Sequence, residues 1–364
     1  MSADLVRLIE LAESFPRQRI LVLADLVADE FVSGEITRVS REAPVLILRR
    51  SETRLVPGGG ANAANNLADL GAQVDLVGAV GDDAPGHALV EYFRRKNLPV
   101  AGIRIARGWT TPTKTRFLAG FSHTAHQQVL RVDREPRVPF PPAVRERLGR
   151  RARQFAARAG AVLVSDYGYG AVAPALVRRL HLDGKKAVTL DSRHALLDYR
   201  GARITAATPN EPELEALYHG RIGDDRGALE RLGRRALRHL DLRALVVTRG
   251  KDGMAVFEPG KPVENIPVYG APEAVDVTGA GDTVIAAFTL ALAAGAGFLD
   301  AARLANYAGG IVVMKRGTAT VTQAELLSAL RGEITGEAIA PAPPAARLAA
   351  RPAPRGPSRP RRSK

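Results

Sequence analysis

Short apolar runs alternate with helical stretches along most of the chain, and this alternation limits the fold more than any other feature. Strand-type runs lie at 19–24, 73–80, 161–165, 186–191 and 244–248. Helix-type stretches lie at 61–70, 86–97, 174–180, 211–218, 281–293 and 299–315. Because strands that alternate with helices form βαβ units, the sequence predicts an α/β fold, a doubly wound and mainly parallel sheet with helices on both faces.

Two segments, 36–56 and 111–133, contain strand-type residues with no helix between them. We expect them to pair as a small antiparallel β lid over the carboxyl edge of the main sheet, where ligands bind in doubly wound folds. Residues 1–331 are predicted to form one domain. The Pro/Ala/Arg-rich segment 332–364 has too little apolar bulk to offset the entropy of ordering, so it is predicted to be a disordered basic tail.

Composition excludes several classes of protein. The 364 residues include no cysteine, which excludes a disulfide scaffold and thiolate chemistry. The chain starts without an apolar signal region, and its longest apolar run, 284–298, is shorter than the roughly 20 residues that span a bilayer. We therefore expect a cytoplasmic protein with no membrane partner. The net charge of +14 is spread over helices and the tail, so nucleic acid is expected to bind only through the tail. A non-catalytic basic binding protein is one alternative.

A first glycine cluster lies in the middle of the chain. No Walker-type G-x-x-x-x-G-K-[ST] loop occurs in the sequence. Gly168, Gly170 and Ala173 follow a predicted strand as G-x-G-x-x-A, and Asp191 ends the next strand. This spacing is typical of a dinucleotide site. An NAD(P)-dependent oxidoreductase that uses this cluster is therefore an alternative of another class.

A second cluster, D-V-T-G-A-G-D at 276–282, runs directly into an apolar helix. Its small residues at 279–281 let consecutive backbone N–H groups face an anion at the positive end of the helix dipole. Asp282 places a carboxylate beside that position, although helix capping is an alternative role for it. A base next to donors for phosphoryl oxygens is what phosphoryl transfer to a hydroxyl requires.

Four motifs resemble, in order, the signatures of the ribokinase-like (PfkB) carbohydrate kinases. They are PGGGAN at 57–62, NEPE at 210–213, TRGKDG at 248–253 and GAGD at 279–282. The resemblance covers about residues 19–325. It implies the ribokinase-like fold and ATP-dependent phosphorylation of a sugar hydroxyl. A ribokinase, fructokinase or nucleoside kinase of the same fold is an alternative.

Four further segments resemble those family members that phosphorylate D-glycero-D-manno-heptose 7-phosphate at O1, in ADP-heptose and lipopolysaccharide synthesis. They are ADLVAD at 24–29, TRVSREAPV at 37–45, QQVLRVD at 127–133 and SDYG at 165–168. These segments lie in the predicted substrate half and lid, so the resemblance implies this sugar phosphate as the acceptor. The kinase is often fused to a nucleotidyltransferase in such proteins, and we expect this chain to hold the kinase part alone.

The resemblance also implies roles for individual residues. Asp282 is the implied base, and the implied anion hole is Gly279, Ala280 and Gly281. The implied sugar-binding residues are Asp25, Asp29, Gly59, Gly60, Asn62, Asn66, Arg131 and Asp166. The implied nucleotide-binding residues are Asn210, Glu213, Thr248, Gly250, Gly253 and Asn306. Asn210 and Glu213 would hold Mg²⁺ through water, and Asp276 and Thr278 lie where some members bind a monovalent cation such as K⁺.

Two positions depart from the heptose kinase pattern, since Tyr169 and Arg193 stand where lysines are expected. Arg193 can still bind phosphate with a different geometry, whereas Tyr169 removes a positive charge. A phosphorylated acceptor also needs a basic pocket, for which Lys114, Arg116 and Arg131 in the lid are candidates. Lid strands often exchange between two subunits in this family, so a homodimer is expected.

Overall fold

The computed structural model describes residues 3–120, 126–180, 182, 184–271 and 273–335. Its helices are Ala3–Glu13 (α1), Gly60–Asp69 (α2), Ala84–Arg95 (α3), Pro142–Ala156 (α4), Pro174–Arg178 (α5), Glu211–Tyr218 (α6), Arg226–His239 (α7), Ala280–Ala293 (α8), Phe298–Val312 (α9) and Gln323–Thr335 (α10). Its strands are Arg19–Ala24 (β1), Leu26–Val39 (β2), Leu46–Gly59 (β3), Gln73–Gly81 (β4), Ile103–Ala106 (β5), Thr113–Gly120 (β6), Gln127–Arg134 (β7), Ala161–Asp166 (β8), Ala187–Ser192 (β9), Ala206–Ala207 (β10), Ala244–Thr248 (β11), Met254–Phe257 (β12) and Glu264–Ile266 (β13).

Within the described residues, nine strands form the large sheet, in the order β13-β12-β11-β10-β9-β8-β1-β4-β5. Strand β1 lies parallel between β8 and β4, while β12 and β13 at one edge run antiparallel. Along β1, Ile20 and Val22 belong to a core that includes α1, α2, α8 and α9. Leu21 and Leu23 belong to a second core that includes α4 to α7. This alternation buries both faces of the sheet and confirms the predicted doubly wound α/β fold.

Each strand and helix range predicted from the apolar pattern corresponds to an element of the structure. The elements that were not predicted are helices α1, α7 and α10 and strands β5, β10, β12 and β13. Helix α7 buries a narrow stripe that includes Leu229 and Leu237, and arginines occupy many of its other positions. The helix is therefore strongly amphipathic, but its few apolar residues form no continuous apolar run in the sequence. It is stabilised by its contact with the core.

The small sheet forms the lid, and its described strands have the order β3-β2-β6-β7. The pairs β2–β3 and β6–β7 are antiparallel as predicted, but the two hairpins meet through a parallel pairing of β2 with β6. Strand β2 begins at Leu26, ten positions before the predicted start at residue 36. Its first residues are buried and as apolar as a core strand, which hides the boundary. The lid therefore rises directly from the carboxyl edge of the main sheet.

The end of the described chain differs from the predicted boundary at residue 331, because α10 continues to Thr335. The part of the predicted disordered tail from residue 336 onward lies outside the described residues. Of the helices described here, none is both long and apolar enough to cross a bilayer.

Candidate active site

The turn before α8 brings the GAGD segment to the centre of the site. Gly279 adopts φ 79°, and a Cβ at this position would lie 2.6 Å from Asn62 Nδ2, so the turn needs glycine. The N–H of Ala280 donates to the carbonyl of Val277 at 3.2 Å. The N–H groups of the first helical turn have no acceptor within the helix, and a Cβ at Gly281 would meet open space. Of the predicted anion hole, Gly281 is therefore the residue most open to a ligand.

Asp282 lies in the first turn of α8 and is 4% exposed. Asn62 Nδ2 donates to its Oδ2 at 3.1 Å, and Tyr167 Oη donates to its Oδ1 at 2.8 Å. Burial raises the pKa of Asp282 to about 7, although these two hydrogen bonds lower it. The nearby carboxylate of Asp29 raises the same pKa, and the Lys114 ammonium lowers it. A carboxylate whose pKa is near neutral is suited to take up a proton.

Asn62 and Asn66 lie on one face of α2, as their spacing predicts, and both are fully buried. Asn66 Nδ2 donates to Asn62 Oδ1 at 3.2 Å, and Asn66 Oδ1 accepts from Thr283 Oγ1 at 3.0 Å. The N–H of Val321 donates to the same Asn66 oxygen at 3.3 Å. These bonds make the two asparagines a support for Asp282 and orient the amide of Asn62 toward its carboxylate.

Tyr167 was not predicted as a site residue. It directly follows β8 at the carboxyl edge of the sheet, and that position is the signal in the sequence that points to it. Desolvation and the Asp282 carboxylate raise the pKa of its phenol well above the ordinary value. The phenol is therefore protonated at neutral pH and acts as a hydrogen-bond donor to Asp282.

Asp25, for which a contact with sugar is predicted, accepts hydrogen bonds from the backbone that follows β8. Its Oδ2 accepts the N–H groups of Tyr167 and Tyr169, both at 3.0 Å. Its Oδ1 accepts those of Ala171 and Val172 at 3.1 and 3.2 Å. Burial and the neighbouring Asp166 raise the pKa of Asp25 to about 7, while the backbone donors lower it. Because both oxygens are engaged, Asp25 shapes the 167–172 loop.

Asp166, a second residue predicted to bind sugar, also accepts hydrogen bonds from within the chain. It is buried, and its Oδ2 accepts from the phenol of Tyr199 at 2.7 Å. Its Oδ1 accepts from the N–H of Gly168 at 2.9 Å. The N–H groups of the G-x-G loop are thus directed at carboxylates of the chain itself, and the dinucleotide alternative finds no support in this geometry.

Asp29 lies on lid strand β2 and contacts both strand β6 of the lid and the segment that precedes α10. Arg116 donates to its Oδ1 at 2.8 Å, and Thr318 Oγ1 donates to its Oδ2 at 2.7 Å. Arg116 is buried in this ion pair, so it does not line the basic cavity for which it was a candidate. Asp29 is also close enough to Asp282 to raise the pKa of that base.

The PGGGAN segment packs tightly where the lid joins α2. A Cβ at Gly59 would lie 3.1 Å from the ring of Tyr167, and one at Gly60 would lie 2.4 Å from Ala24 Cβ. These two glycines, predicted to bind sugar, therefore allow the lid strand, β1 and Tyr167 to approach one another closely.

Asp276 organises the loop in front of α8. The N–H of Thr278 donates to its Oδ1 at 2.9 Å, and the N–H of Gly317 donates to its Oδ2 at 2.8 Å. Burial opposes the change, but these hydrogen bonds lower the pKa of Asp276 below its ordinary value. The hydrogen bonds from Thr278 and Gly317 to Asp276 therefore fix the loop that holds the predicted cation position.

Asn210 and Glu213 form a capping box at the start of α6. Asn210 Oδ1 accepts the N–H of Glu213 at 2.8 Å, and Glu213 Oε2 accepts the N–H of Asn210 at 3.0 Å. Burial raises the pKa of Glu213, and the Arg193 guanidinium lowers it. Burial also raises the pKa of Asp191 well above its ordinary value, helped by Asp282 and Glu213. Asp191 is therefore within electrostatic reach of both the Glu213 carboxylate and the candidate base Asp282.

The remaining predicted nucleotide residues border the same edge of the sheet. Thr248 forms an isolated parallel bridge with Asn210. Gly250 and Gly253 adopt φ 55° and 78°, and a Cβ at Gly253 would lie 2.0 Å from the carbonyl oxygen of Ile266. Asn306 Nδ2 donates to the Pro267 carbonyl at 2.8 Å. Gly253 and Asn306 thus fix the same segment, near residue 267.

A cavity of about 740 Å³ opens beside Tyr167, between the lid and the loops at the carboxyl edge. Its basic and imidazole side chains are Lys114, Arg131, Arg137, Arg193 and His194. Arg131 lines it as predicted, but its guanidinium pairs with Asp133 through two contacts of 2.8 Å. Tyr169 lines the wall and hydrogen-bonds to Glu135 at 3.3 Å. The positive charge of the cavity suits an anionic group.

Among the described residues, no group of three or more His, Cys, Asp or Glu side chains could hold a metal ion. Mg²⁺ does not need such a group in a kinase, because it keeps several waters and takes further ligands from the nucleotide phosphates. The amide of Asn210 and the carboxylate of Glu213 are oxygen donors of the type that Mg²⁺ prefers, so the donor set fits a water-bridged ion.

The hydrogen bonds of Asp25 generate a prediction that does not depend on activity. We expect Asp25→Asn to lower the free energy of unfolding by at least about 2 kcal/mol, because an NH₂ group in place of one oxygen leaves buried N–H groups without an acceptor. Chemical denaturation measures this. Asp82→Asn is the control: Asp82 is half exposed in its pairs with His87 and Arg107, so a change within about 0.5 kcal/mol is expected. Equal effects of the two substitutions would contradict the structural role of Asp25.

Comparison with known proteins places this site in a family. The profile of the pfkB family carbohydrate kinases matches residues 27–325. Bifunctional protein HldE of Geobacter sulfurreducens is 41% identical over 314 residues, which cover 85% of this chain and 62% of that protein. The HldE of Geobacter metallireducens is 42% identical over 316 residues, with the same shares. The chain therefore spans 62% of the length of these curated relatives.

Solved structures agree on the fold. Arabidopsis thaliana ribokinase, complexed with ribose and ATP, superposes with a TM-score of 0.64 at 20% identity, covering 86% of this chain and 98% of that one. Phosphofructokinase-2 from Escherichia coli, in complex with potassium, gives 0.67 at 17% identity with the same coverage. The fold is ribokinase-like, as predicted. Because the family profile spans most of the chain, the protein belongs to the pfkB family of carbohydrate kinases.

Proposed function

We propose that the protein transfers the γ-phosphoryl group of ATP to a hydroxyl of a sugar phosphate, with D-glycero-D-manno-heptose 7-phosphate at O1 as the acceptor. The observation that carries the proposal is the position of Asp282. Its buried carboxylate lies in the first turn of α8, next to the open Gly281 and to Tyr167, which lines the basic cavity. The heptose is favoured over other sugars by the four lid and substrate-half segments that resemble heptose kinases.

Transfer is direct and in line in this proposal, without a phospho-enzyme. The acceptor oxygen forms a bond to the γ-phosphorus as the bond from that phosphorus to ADP breaks, and the hydroxyl proton moves to Asp282. Even with a pKa of about 7, a carboxylate is a weak base toward an alcohol. The proton therefore moves late, when the new bond to phosphorus has made the hydroxyl more acidic.

The backbone at the start of α8 holds the transferred phosphoryl group in this proposal. The free N–H groups of its first turn and the helix dipole both favour negative charge there. Asn210 and Glu213 hold Mg²⁺ through water, and this ion neutralises charge on the nucleotide phosphates when it is bound. Asp276 and Thr278 are the residues we propose for a monovalent cation such as K⁺. Thr248, Gly250, Gly253 and Asn306 line the nucleotide side.

The basic cavity receives the phosphate of the acceptor. Its walls include Lys114, Arg137 and Arg193. In the described part of the chain, no carboxylate lies within 4 Å of the Arg193 guanidinium nitrogens, so Arg193 is open to a phosphate. The acceptor then points its reactive hydroxyl toward Asp282 and its phosphate toward the cavity. Arg193 performs the task of the lysine expected in the heptose pattern, and the lost charge at Tyr169 is offset by the other cations.

The lid also supports a proposal about assembly, namely a homodimer formed through the lid. Its surface carries apolar side chains that are about half exposed, which are Val39, Val45, Leu46, Val129, Leu130 and Val132. Val45, Leu46, Val129 and Leu130 line one groove of about 770 Å³ on the lid. An apolar surface of this kind is typical of a protein interface.

We further propose a cytoplasmic location, where ATP is available.

Asp282→Asn tests the reaction. We expect turnover to fall by roughly 10²–10⁴, because the amide cannot accept the hydroxyl proton. ADP release from MgATP is measured over a panel of the heptose 7-phosphate, ribose, fructose, fructose 6-phosphate and adenosine. Calorimetric binding of ATP to the variant is the control and should be close to that of the wild type.

The panel also decides among the kinase alternatives. Turnover confined to ribose, fructose or adenosine would move the assignment to that substrate and leave the kinase chemistry standing. Wild-type turnover with none of the five acceptors would contradict the proposed substrate class. Equal rates for the wild type and Asp282→Asn would contradict the role of Asp282.

Arg193→Gln tests the phosphate end of the cavity. The ratio of kcat/KM for the phosphorylated sugar to that for its unphosphorylated form should fall about tenfold or more, because one charge-assisted hydrogen bond to phosphate is lost. Arg150→Gln removes an exposed arginine of α4 that does not line the cavity, and it should leave the ratio unchanged. An unchanged ratio in Arg193→Gln would show that the phosphate of the acceptor does not bind to Arg193.

Leu130→Glu tests the dimer. Sedimentation should give about twice the chain mass of 38.8 kDa for the wild type and the chain mass for the variant, because a buried charge disrupts an apolar interface. The matched control is Ile105→Glu, in which Ile105 is half exposed on the distant edge strand β5. A monomeric wild type, or a dimer that survives in Leu130→Glu, would rule out this interface.

A further inference from the structure

Tyr167 stands at the meeting point of the base, the loop after β8 and the lid. Its phenol donates to Asp282 Oδ1 at 2.8 Å, and Asn62 donates to the other oxygen at 3.1 Å. Each oxygen of the carboxylate therefore has one donor in the protein. Asn62 belongs to the family's glycine-rich motif, whereas Tyr167 lies outside the four family motifs.

One contact holds the backbone of Tyr167 in place and two hold its ring. The backbone N–H donates to Asp25 at 3.0 Å. Gly59 packs against its ring so closely that a Cβ there would lie 3.1 Å from a ring carbon. The Lys114 ammonium, from strand β6 of the lid, lies 5.2 Å from the ring centroid in a cation–π contact. Because its backbone and its ring are both held, Tyr167 can hold the Asp282 carboxylate, to which its phenol donates, in one orientation.

We propose that Tyr167 is a positioning residue for the phosphoryl transfer, in which its phenol orients the Asp282 carboxylate and keeps it ionised until the acceptor hydroxyl delivers its proton. This inference rests on the proposed function. The phenol keeps its own proton throughout the step. The transferred proton passes from the acceptor oxygen to Asp282, whose Oδ1 continues to accept from Tyr167.

The charges around Asp282 explain why a donor is needed. Asp29 on β2 and Asp191 on β9 face it as further carboxylates, and burial adds to their effect, so all three disfavour the ionised form. Lys114 on β6 and the amide of Asn62 on α2 act in the opposite direction, together with the phenol. Removing the phenol shifts this balance toward the protonated acid, which cannot act as a base.

Tyr167→Phe is the test variant, since it removes one oxygen and keeps the ring. A hydrogen bond to a charged group corresponds to a shift of about one to two pH units. The acid limb of the kcat–pH profile with MgATP should therefore move up by that amount, so that kcat falls about tenfold or more below the limb. The KM for the sugar should change little. Tyr92→Phe removes a partly buried phenol on α3 that contacts Asn65, and it should leave the limb in place.

A second measurement is independent of any substrate. In protein carrying ¹³C-labelled aspartate carboxyls, the Asp282 signal, assigned with Asp282→Asn, should titrate about one to two pH units higher in Tyr167→Phe than in the wild type. Thermal unfolding of both variants establishes that they are folded. An Asp282 titration and an acid limb that both stay in place in folded Tyr167→Phe would overturn the inference. If the titration shifts while the wild type phosphorylates no sugar, the proposed function fails and the hydrogen bond stands.

Discussion

The carboxylate of Asp25 determines the geometry of the whole site. Four backbone N–H groups of the 167–172 loop converge on its two oxygens, so the end of β1 and the loop after β8 are held as one unit. Burial of this anion is unfavourable by itself, and the backbone donors offset part of that cost. The loop in turn presents Tyr167 to Asp282 and gives the basic cavity its wall at Tyr169. Asp25 thus acts on the chemistry through the backbone.

The inner part of the site carries mainly negative charge, and the cavity beside the lid carries more positive than negative side chains. In the inner part, the carboxylate of Asp29 raises the pKa of Asp282, and the carboxylate of Asp282 raises the pKa of Asp191. The outer part, beside the lid, is lined by several cations. In the proposed function, a sugar phosphate is oriented by this division alone, because its phosphate is attracted outward while its neutral hydroxyls approach the carboxylates. Orientation by charge precedes any specific contact with the sugar ring.

Much of this arrangement follows from the sequence, and the failures have identifiable causes. Apolar periodicity located most strands and most helices, and the GAGD motif located Asp282. The hydrogen bonds of Asp25 to the 167–172 loop were not predictable, because Tyr167 lies 142 residues away from Asp25 in the chain. Tyr167 was missed because its role depends on the same long-range approach. The antiparallel pairing in the lid was predicted, but the parallel pairing of β2 with β6 was not. Alternation indicates strands but does not identify which neighbour runs parallel.

The parallel pairing of β2 with β6 has a consequence for how the protein folds. Helix α2, strand β4, helix α3 and strand β5 all lie between these two strands in the chain and belong to the main domain. The hairpin β2–β3 can form from local contacts, but the centre of the lid can close only after those elements have brought the start of β6 beside β2. The centre of the lid therefore closes on a part of the main domain that has already formed, and the lid is not an independent folding unit. Excised as a peptide or grafted onto another scaffold, its strands would lack the connection that sets their register.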